Sequence, residues 1–177
     1  MDKELHRIAS TAIIVKDHPF LRRAQGKLGS GQAKYLITQR SFQKKAFPGK
    51  WTVPGGGLEI DDYINTPKDV AGQWYFALTK SLRRETKEEV NLELRKLNYL
   101  LDLTFIRPDK VPVLVLSFWA FYKSGKIKLD DDSIDYKWVT LREAKKYDLI
   151  PGIYGEIKMV DKLLKGGSGD RIKHVKR

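Results

Sequence analysis

Residues 74–91 read Trp-Tyr-Phe-Ala-Leu-Thr-Lys-Ser-Leu-Arg-Arg-Glu-Thr-Lys-Glu-Glu-Val-Asn, and their spacing predicts an amphipathic helix over Trp74–Asn91. Leu78 and Leu82 begin an apolar stripe, and steps of three and then four residues carry it on to Glu85 and Glu89. Glu88 stands beside them, three after Glu85 and one before Glu89. An ordinary glutamate-rich helix keeps its acids on a solvated face, in pairs such as Arg84 with Glu88. Here two carboxylates fall in line with the side expected to face the core. Carboxylates held there need partners, and three close together, without a nearby His or Cys, suit a hard cation such as Mg²⁺ or Mn²⁺. That chemistry points to a phosphate-bearing substrate.

Outward from this helix, Ile8–Lys16 and Lys34–Arg40 are β-branched and aromatic runs of strand length. The stretch between them, His18–Gln32, carries Pro and Gly and reads as a hairpin loop. Its Gly26–Gly31 segment resembles a phosphate loop only loosely, because the Gly-Lys-Ser/Thr ending is absent. Phe47–Gly57 reads as a loop, a short strand and a glycine turn, and Asp61–Gln73 as a polar loop. Leu97–Ile106 and Val111–Tyr122 read as strands joined by an Arg107-Pro108-Asp109-Lys110 turn. Tyr136–Val139 reads as a short strand, and Leu141–Lys146 and Ile153–Leu164 as helices. Strands mixed with helices in this way make an α/β or α+β domain.

A length of 177 residues supports one domain over 1–165, with one large insertion at about 60–75 and a basic, mobile tail over 166–177. Without Cys there is no disulfide framework, thiolate zinc site or Cys nucleophile. Hydrophobic content of 41% and aromatic content of 11% exclude a disordered chain. The longest apolar run, within Val111–Tyr122, is too short for a membrane helix, and Met1–Ser10 lacks a signal-peptide core. The expectation is a cytoplasmic protein without a membrane partner. His6, His18 and His174 fall in basic terminal or loop segments, which argues against a Ser-His-Asp hydrolase. The net charge of +12 is uneven, with 11 basic against three acidic side chains in residues 1–50 and five against one in residues 164–177. The neutral stretch between them holds the acidic clusters. Such a charge attracts anionic substrates in general and does not favour a nucleic acid over a small nucleotide.

Residues 84–92, Arg-Glu-Thr-Lys-Glu-Glu-Val-Asn-Leu, together with Trp51–Glu59, resemble the Nudix hydrolase signature Gx5Ex7REUxEExGU, where U is a bulky aliphatic residue. From Gly56, five residues lead to Asp62, where the signature has Glu. Between Asp62 and Arg84 lie 21 residues in place of seven, an insertion of 14 that falls ahead of the helix. Asn91 replaces the closing Gly, and Asn is the next-best residue for the left-handed conformation at a helix end. Thr86 fills an aliphatic position, a mild packing change.

The resemblance covers most of the chain and implies an α/β/α sandwich with a mixed central sheet. It implies attack of water on a substituted nucleoside diphosphate. By the same resemblance Glu85, Glu88, Glu89 and the Gly55 carbonyl hold one to three divalent ions, Arg84 braces the carboxylates, and Gly56 borders the substrate. A solvated arginine is the alternative for Arg84. Asp132, six residues before Trp138, stands where some members supply a further carboxylate, with an acidic surface loop as the alternative. Arg40 is either a phosphate contact or a surface arginine. Trp74 and Tyr75 are candidates for an aromatic base pocket, as are Phe105, Trp119 and Phe121, for which a core place is the stronger alternative. Pro108, 16 residues after Leu92, matches a weak marker of ADP-ribose-cleaving members and serves a turn equally well.

The expected substrate is a small nucleotide (NTP, dNTP, nucleotide sugar or ADP-ribose type), with a nucleoside monophosphate as product. One alternative is a member that acts on capped or triphosphate RNA ends, its basic termini holding phosphates. Another is a catalytically silent, nucleotide-binding regulatory member, against which the intact Glu85, Glu88 and Glu89 argue.

Overall fold

Alternation along β1 (Arg7–Lys16) sends Ile13 and Val15 into one core layer and Ala12 and Ile14 into the other, all four fully buried. Neighbouring β2 (Lys34–Arg40) does the same with Tyr35 and Ile37 against Leu36. Both faces of these strands are covered, which is why they read as continuous apolar runs. The structure is a computed structural model that describes residues 5–17 and 32–166. The expected loop and loose phosphate-loop match within 18–31, and the tail over 167–177, lie outside the described residues.

Among the described residues the sheet is mixed and eight-stranded. β1 runs parallel to β7 (Pro112–Ser124) from Arg7 opposite Val113 to Val15 opposite Phe121, and the other pairings are antiparallel. β3 (Trp51–Thr52) lies beside β2, and β4 (Gly55–Gly57) beside the first half of β1. β5 (Glu93–Leu94) and β6 (Asn98–Ile106) pair with β7, and β8 (Ser133–Val139) with β2. The β6–β7 turn closes as expected, with the Arg107 N–H donating to the Val111 carbonyl at 3.0 Å.

One helix covers each face. Leu82 and Val90 of α1 (Ala77–Val90) pack on Ile14, Leu36 and Phe118, while Ile153, Ile157 and Val160 of α3 (Ile153–Lys165) pack on Ile13, Val15 and Tyr35. Between β8 and α3, the single turn α2 (Leu141–Ala144) is capped by Thr140, with a reciprocal bond from Glu143. The α/β/α sandwich with a mixed sheet is therefore as expected. Among the described residues no helix is long and apolar enough to cross a membrane.

α3 is also tied to the sheet through polar groups. The Tyr35 hydroxyl donates to Asp161 at 2.9 Å, and Lys165 pairs with the same carboxylate at 2.6 Å. Tyr35→Phe is expected to cost about 1–3 kcal/mol in a urea titration, since buried Asp161 loses a donor. An unchanged midpoint would deny the bond a stabilising role.

Several elements differ from their sequence readings, β5 among them, which has no strand in the sequence reading. The main helix starts at Ala77, not Trp74, because Phe76 takes a left-handed conformation with φ 60°. The residues ahead of it are held by the insertion: the Trp74 indole donates to the Thr66 carbonyl at 3.0 Å, and the Tyr75 N–H to Asp69 at 2.8 Å. β8 begins at Ser133 rather than Tyr136 because its pairing extends to Arg40 opposite Ser133. The helix expected over Leu141–Lys146 stops at Ala144.

Candidate active site

The glycine turn sits where the sheet, α1 and solvent meet. β4 lies against Ala9–Thr11 of β1, and the Ala12 N–H donates to the Pro54 carbonyl at 2.9 Å. A Cβ on Gly55 would overlap the Ser10 carbonyl and come within 2.7 Å of the Thr11 Cα. A Cβ on Gly56 would take the space of the Glu85 carboxylate. Glycine is required at both because backbone on one side and a carboxylate on the other occupy the position of any side chain.

α1 delivers its carboxylates to this turn. Glu85 abuts Gly56, and one helical turn on, Glu89 accepts the Gly55 N–H at 2.8 Å. The Ser81 hydroxyl donates to the Gly57 carbonyl at 3.3 Å and pins the start of the helix to the same turn. Buried Thr86 satisfies its hydroxyl on the Leu82 carbonyl at 2.8 Å, which is how a polar residue fills an aliphatic position. Asn91 is left-handed at φ 53° and ends the helix, so the replacement of Gly keeps the geometry.

The insertion leaves Asp62 and Arg84, two positions of the signature, in contact. Arg84 Nε donates to Asp62 at 2.5 Å, its Nη1 to Glu88 at 2.7 Å and its Nη2 to Glu85 at 3.0 Å. Arg84 is thus a brace joining three carboxylates, not a solvated arginine. Its hydrogen bonds hold the Asp62 carboxyl down at about 2, and Asp62 in turn raises the guanidinium. Burial pushes Glu85 above the ordinary carboxylate range, although Arg84 opposes this. Burial also pushes Glu89 up to about 8, opposed by the Gly55 N–H and reinforced by the charges of Glu85 and Asp130.

Glu85, Glu89 and the Gly55–Gly57 turn line a cleft of about 750 Å³. Arg40, Lys44, Lys45 and Arg107 bring cations to its walls, beside Glu85, Glu89 and Asp132. Arg40 is fixed by its Nε bond to the Ala46 carbonyl at 3.0 Å and feels the charges of Glu89 and Asp132, so it belongs to the cleft and is no ordinary surface arginine. Asp132 lies at the mouth, half exposed and paired with Lys44. The lining also has apolar members: Phe47 and Phe105 lie with ring centroids 6.2 Å apart, joined by Val113, Val115, Ile150 and Ile153.

The oxygen-only donors and the disfavoured charges of Glu85 and Glu89 are the condition that a hard divalent cation relieves, so the residues fit such an ion. Among the described residues, however, no three His, Asp or Glu side chains gather into a ready ligand set. The expected Glu85–Glu88–Glu89 set is not gathered in this structure, where Glu88 turns outward, 57% exposed, onto Arg84. Trp74 departs from the expected site. It stacks on Tyr63 at 5.3 Å inside the insertion and is not among the residues that line the cleft. Tyr75 is largely exposed, and Trp119 and Phe121 pack against the core, whereas Phe105 does reach the cleft.

Phe47, Arg107, Asp130 and Glu156 enter the site without having been singled out in the sequence. For Glu156 a signal exists: it stands three after Ile153 and one before Ile157, a carboxylate on an apolar stripe like Glu85 and Glu89. Gly56→Ala is expected to displace the Glu85 carboxylate and lower turnover about 10- to 100-fold, with a change in thermal midpoint of only a few degrees. Kinetics and a melt on the same sample check this, and unaltered turnover would detach Glu85 from the chemistry.

Comparison with known proteins supplies a family frame. The NUDIX domain signature matches residues 20–159. The Escherichia coli nucleoside triphosphatase NudI is 25% identical over 126 residues, spanning 65% of this chain and 79% of that protein. The NUDIX domain of Shewanella oneidensis NrtR, solved with ADP-ribose, superposes with a TM-score of 0.67 at 16% identity, over 92% of this chain and 90% of that one. A Caenorhabditis elegans Ap4A hydrolase in a binary complex gives a TM-score of 0.63 at 19% identity, over 90% of this chain and 98% of that one. At such identities the structural likeness concerns the fold.

Proposed function

The chain belongs to the NUDIX family of pyrophosphohydrolases, which act on nucleotide anhydrides, and from that premise we propose that it cleaves the phosphoanhydride of a nucleoside diphosphate linked to another moiety. A water oxygen forms a bond to phosphorus, the bond from that phosphorus to the bridging oxygen breaks, and a nucleoside monophosphate leaves. The observation that carries this reading is the convergence of Glu85 and Glu89 on the Gly55–Gly56 turn, in a cleft whose walls bear cations.

In this reading Glu85 and Glu89, with Glu88 and the Gly55 carbonyl, hold Mg²⁺ or Mn²⁺. When bound, such an ion neutralises the diphosphate and lowers the pKa of a coordinated water. Arg84 keeps Glu85 and Glu88 in register, and Asp62 holds Arg84. Arg40 offers its guanidinium to a phosphate. Asp132, released from Lys44 by the entering anion, is placed to accept a proton at the mouth. The catalytic unit is residues 1–165, with the insertion acting as an outlying loop and not as a wall of the site.

The triphosphatase activity in the name of NudI and the dinucleoside polyphosphate in that of the Ap4A hydrolase support nucleoside polyphosphates as the first substrates to try. The test is turnover of a panel of NTPs, dNTPs, nucleotide sugars, ADP-ribose and dinucleoside polyphosphates with Mg²⁺, with products separated by chromatography. Release of a nucleoside monophosphate, abolished by EDTA and restored by Mg²⁺ or Mn²⁺, is expected. No turnover of any member, or full activity in EDTA, would refute the reading.

A further inference from the structure

On the α3 side of the cleft one carboxylate stands without an ion-pair partner among the described residues. Glu156, on α3, is only 5% exposed yet lines the cleft with Phe47, Phe105 and Ile153. Its Oε2 accepts a hydrogen bond from the Ser117 hydroxyl on β7. Ser117 has one proton to give, so the Thr11 hydroxyl, 2.7 Å away, donates to Ser117. Burial raises the Glu156 carboxyl, and the Ser117 hydroxyl is the group that opposes this. Among the described residues no hydrogen bond reaches Oε1, which lies toward Gly152. An aliphatic side chain between Ile153 and Ile157 would continue the packed stripe without the cost of burying a charge. A carboxylate short of partners and facing a cavity is therefore a group kept for a ligand.

Glu85 and Glu89 enter the cleft from α1 and suit the phosphates and whatever neutralises them. Glu156 enters from α3, which covers the other face of the sheet. The apolar side chains that also line the cleft, Phe47 and Phe105 among them, suit a flat, weakly polar group. We propose that Glu156 is a specificity-determining residue: it accepts the N–H donors on the edge of a nucleobase, guanine above the other bases. This rests on the reading that the cleft takes a nucleotide. Guanine alone among the standard bases offers two adjacent donors, N1–H and N2–H, to the lone pairs left on the two carboxylate oxygens. Adenine and cytosine set a donor beside an acceptor, and uracil has a single donor flanked by acceptors.

The test is equilibrium binding of GMP, IMP, AMP, CMP and UMP to wild type and to Glu156→Gln by calorimetry, with a thermal melt of both proteins. Wild type is expected to prefer GMP about 10- to 100-fold, with IMP, which lacks the 2-amino group, about tenfold weaker than GMP. Glu156→Gln presents an amide N–H toward the base and is expected to lose the preference. A loss uniform across all bases overturns the proposal, because a purely structural Glu156 would produce it. Equal binding of all five by wild type, undetectable binding included, overturns it too. If the variant does not fold, the GMP-to-IMP ratio of wild type decides. Turnover of nucleotides without base preference would overturn this inference alone, while base-selective binding without turnover would overturn the hydrolase reading and leave Glu156 its role.

Discussion

Glu89→Gln is expected to lower turnover of the best nucleotide about 10²- to 10³-fold while leaving the thermal midpoint unchanged or higher. Activity and stability separate here because of what surrounds the carboxylate. Burial and the charges of Glu85 and Asp130 disfavour ionised Glu89, and the Gly55 N–H supports it. A glutamine keeps an oxygen for that N–H and removes the repulsion, so the fold loses little. It also removes the negative charge on which cation binding depends. Wild type is accordingly expected to be stabilised by millimolar Mg²⁺ in a concentration-dependent manner, and the variant much less so. Steady-state kinetics beside melts with and without Mg²⁺ make the measurement. Turnover within about twofold of wild type would remove Glu89 from the chemistry, and a lower midpoint would make it a structural group instead.

The second large effect concerns Asp62, which the insertion separates from its partner in sequence but not in space. Its side chain is 3% exposed and takes two bonds from Arg84. With the carboxyl held at about 2 in the folded protein against an ordinary value of 3.8, the pair contributes stability that is present above pH 4. That contribution is lost as pH falls from about 4 toward 2. Asp62→Asn is expected to cost about 1–2 kcal/mol at neutral pH, the partial solvation of Arg84 limiting the figure. The wild-type and variant stabilities should then converge as the pH approaches 2. Urea titrations from pH 2 to 6 would show this, and parallel curves would mean that the pair does not govern the acid response. The variant should also turn over nucleotides about 10- to 100-fold more slowly, since Arg84 loses the anchor from which it positions Glu85 and Glu88.

The candidate site divides sharply between what was legible and what was not. Glu85 and Glu89 announce themselves because helical periodicity is local, and two carboxylates continuing the Leu78–Leu82 stripe conflict with simple burial. Asn91 was legible for a similar reason, since left-handed helix ends select for it. The start of α1 was not, because Trp74 and Tyr75 are held by Thr66 and Asp69 of the insertion, contacts that no helix propensity reports. The same insertion draws Trp74 onto Tyr63 and away from the cleft. Glu88 stands beside that stripe, and its ion pair with Arg84 lies on the solvent side.

From residue order alone come the identities of the long strands and helices, the glycine turn, and the assignment of Asp62 and Arg84 to one signature across 21 intervening residues. Each rests on short-range periodicity, on backbone conformations that few residues tolerate, or on spacing within one signature. The tertiary structure alone decided which carboxylates face the Gly55–Gly56 turn, which cations reach the cleft, and that Glu156 meets Ser117, itself bonded to Thr11. Those are contacts between β1, β7 and α3, brought together by a parallel strand pairing and a helix packed over it. Burial and charge at such a meeting depend on all three elements at once, and no one of them carries that information.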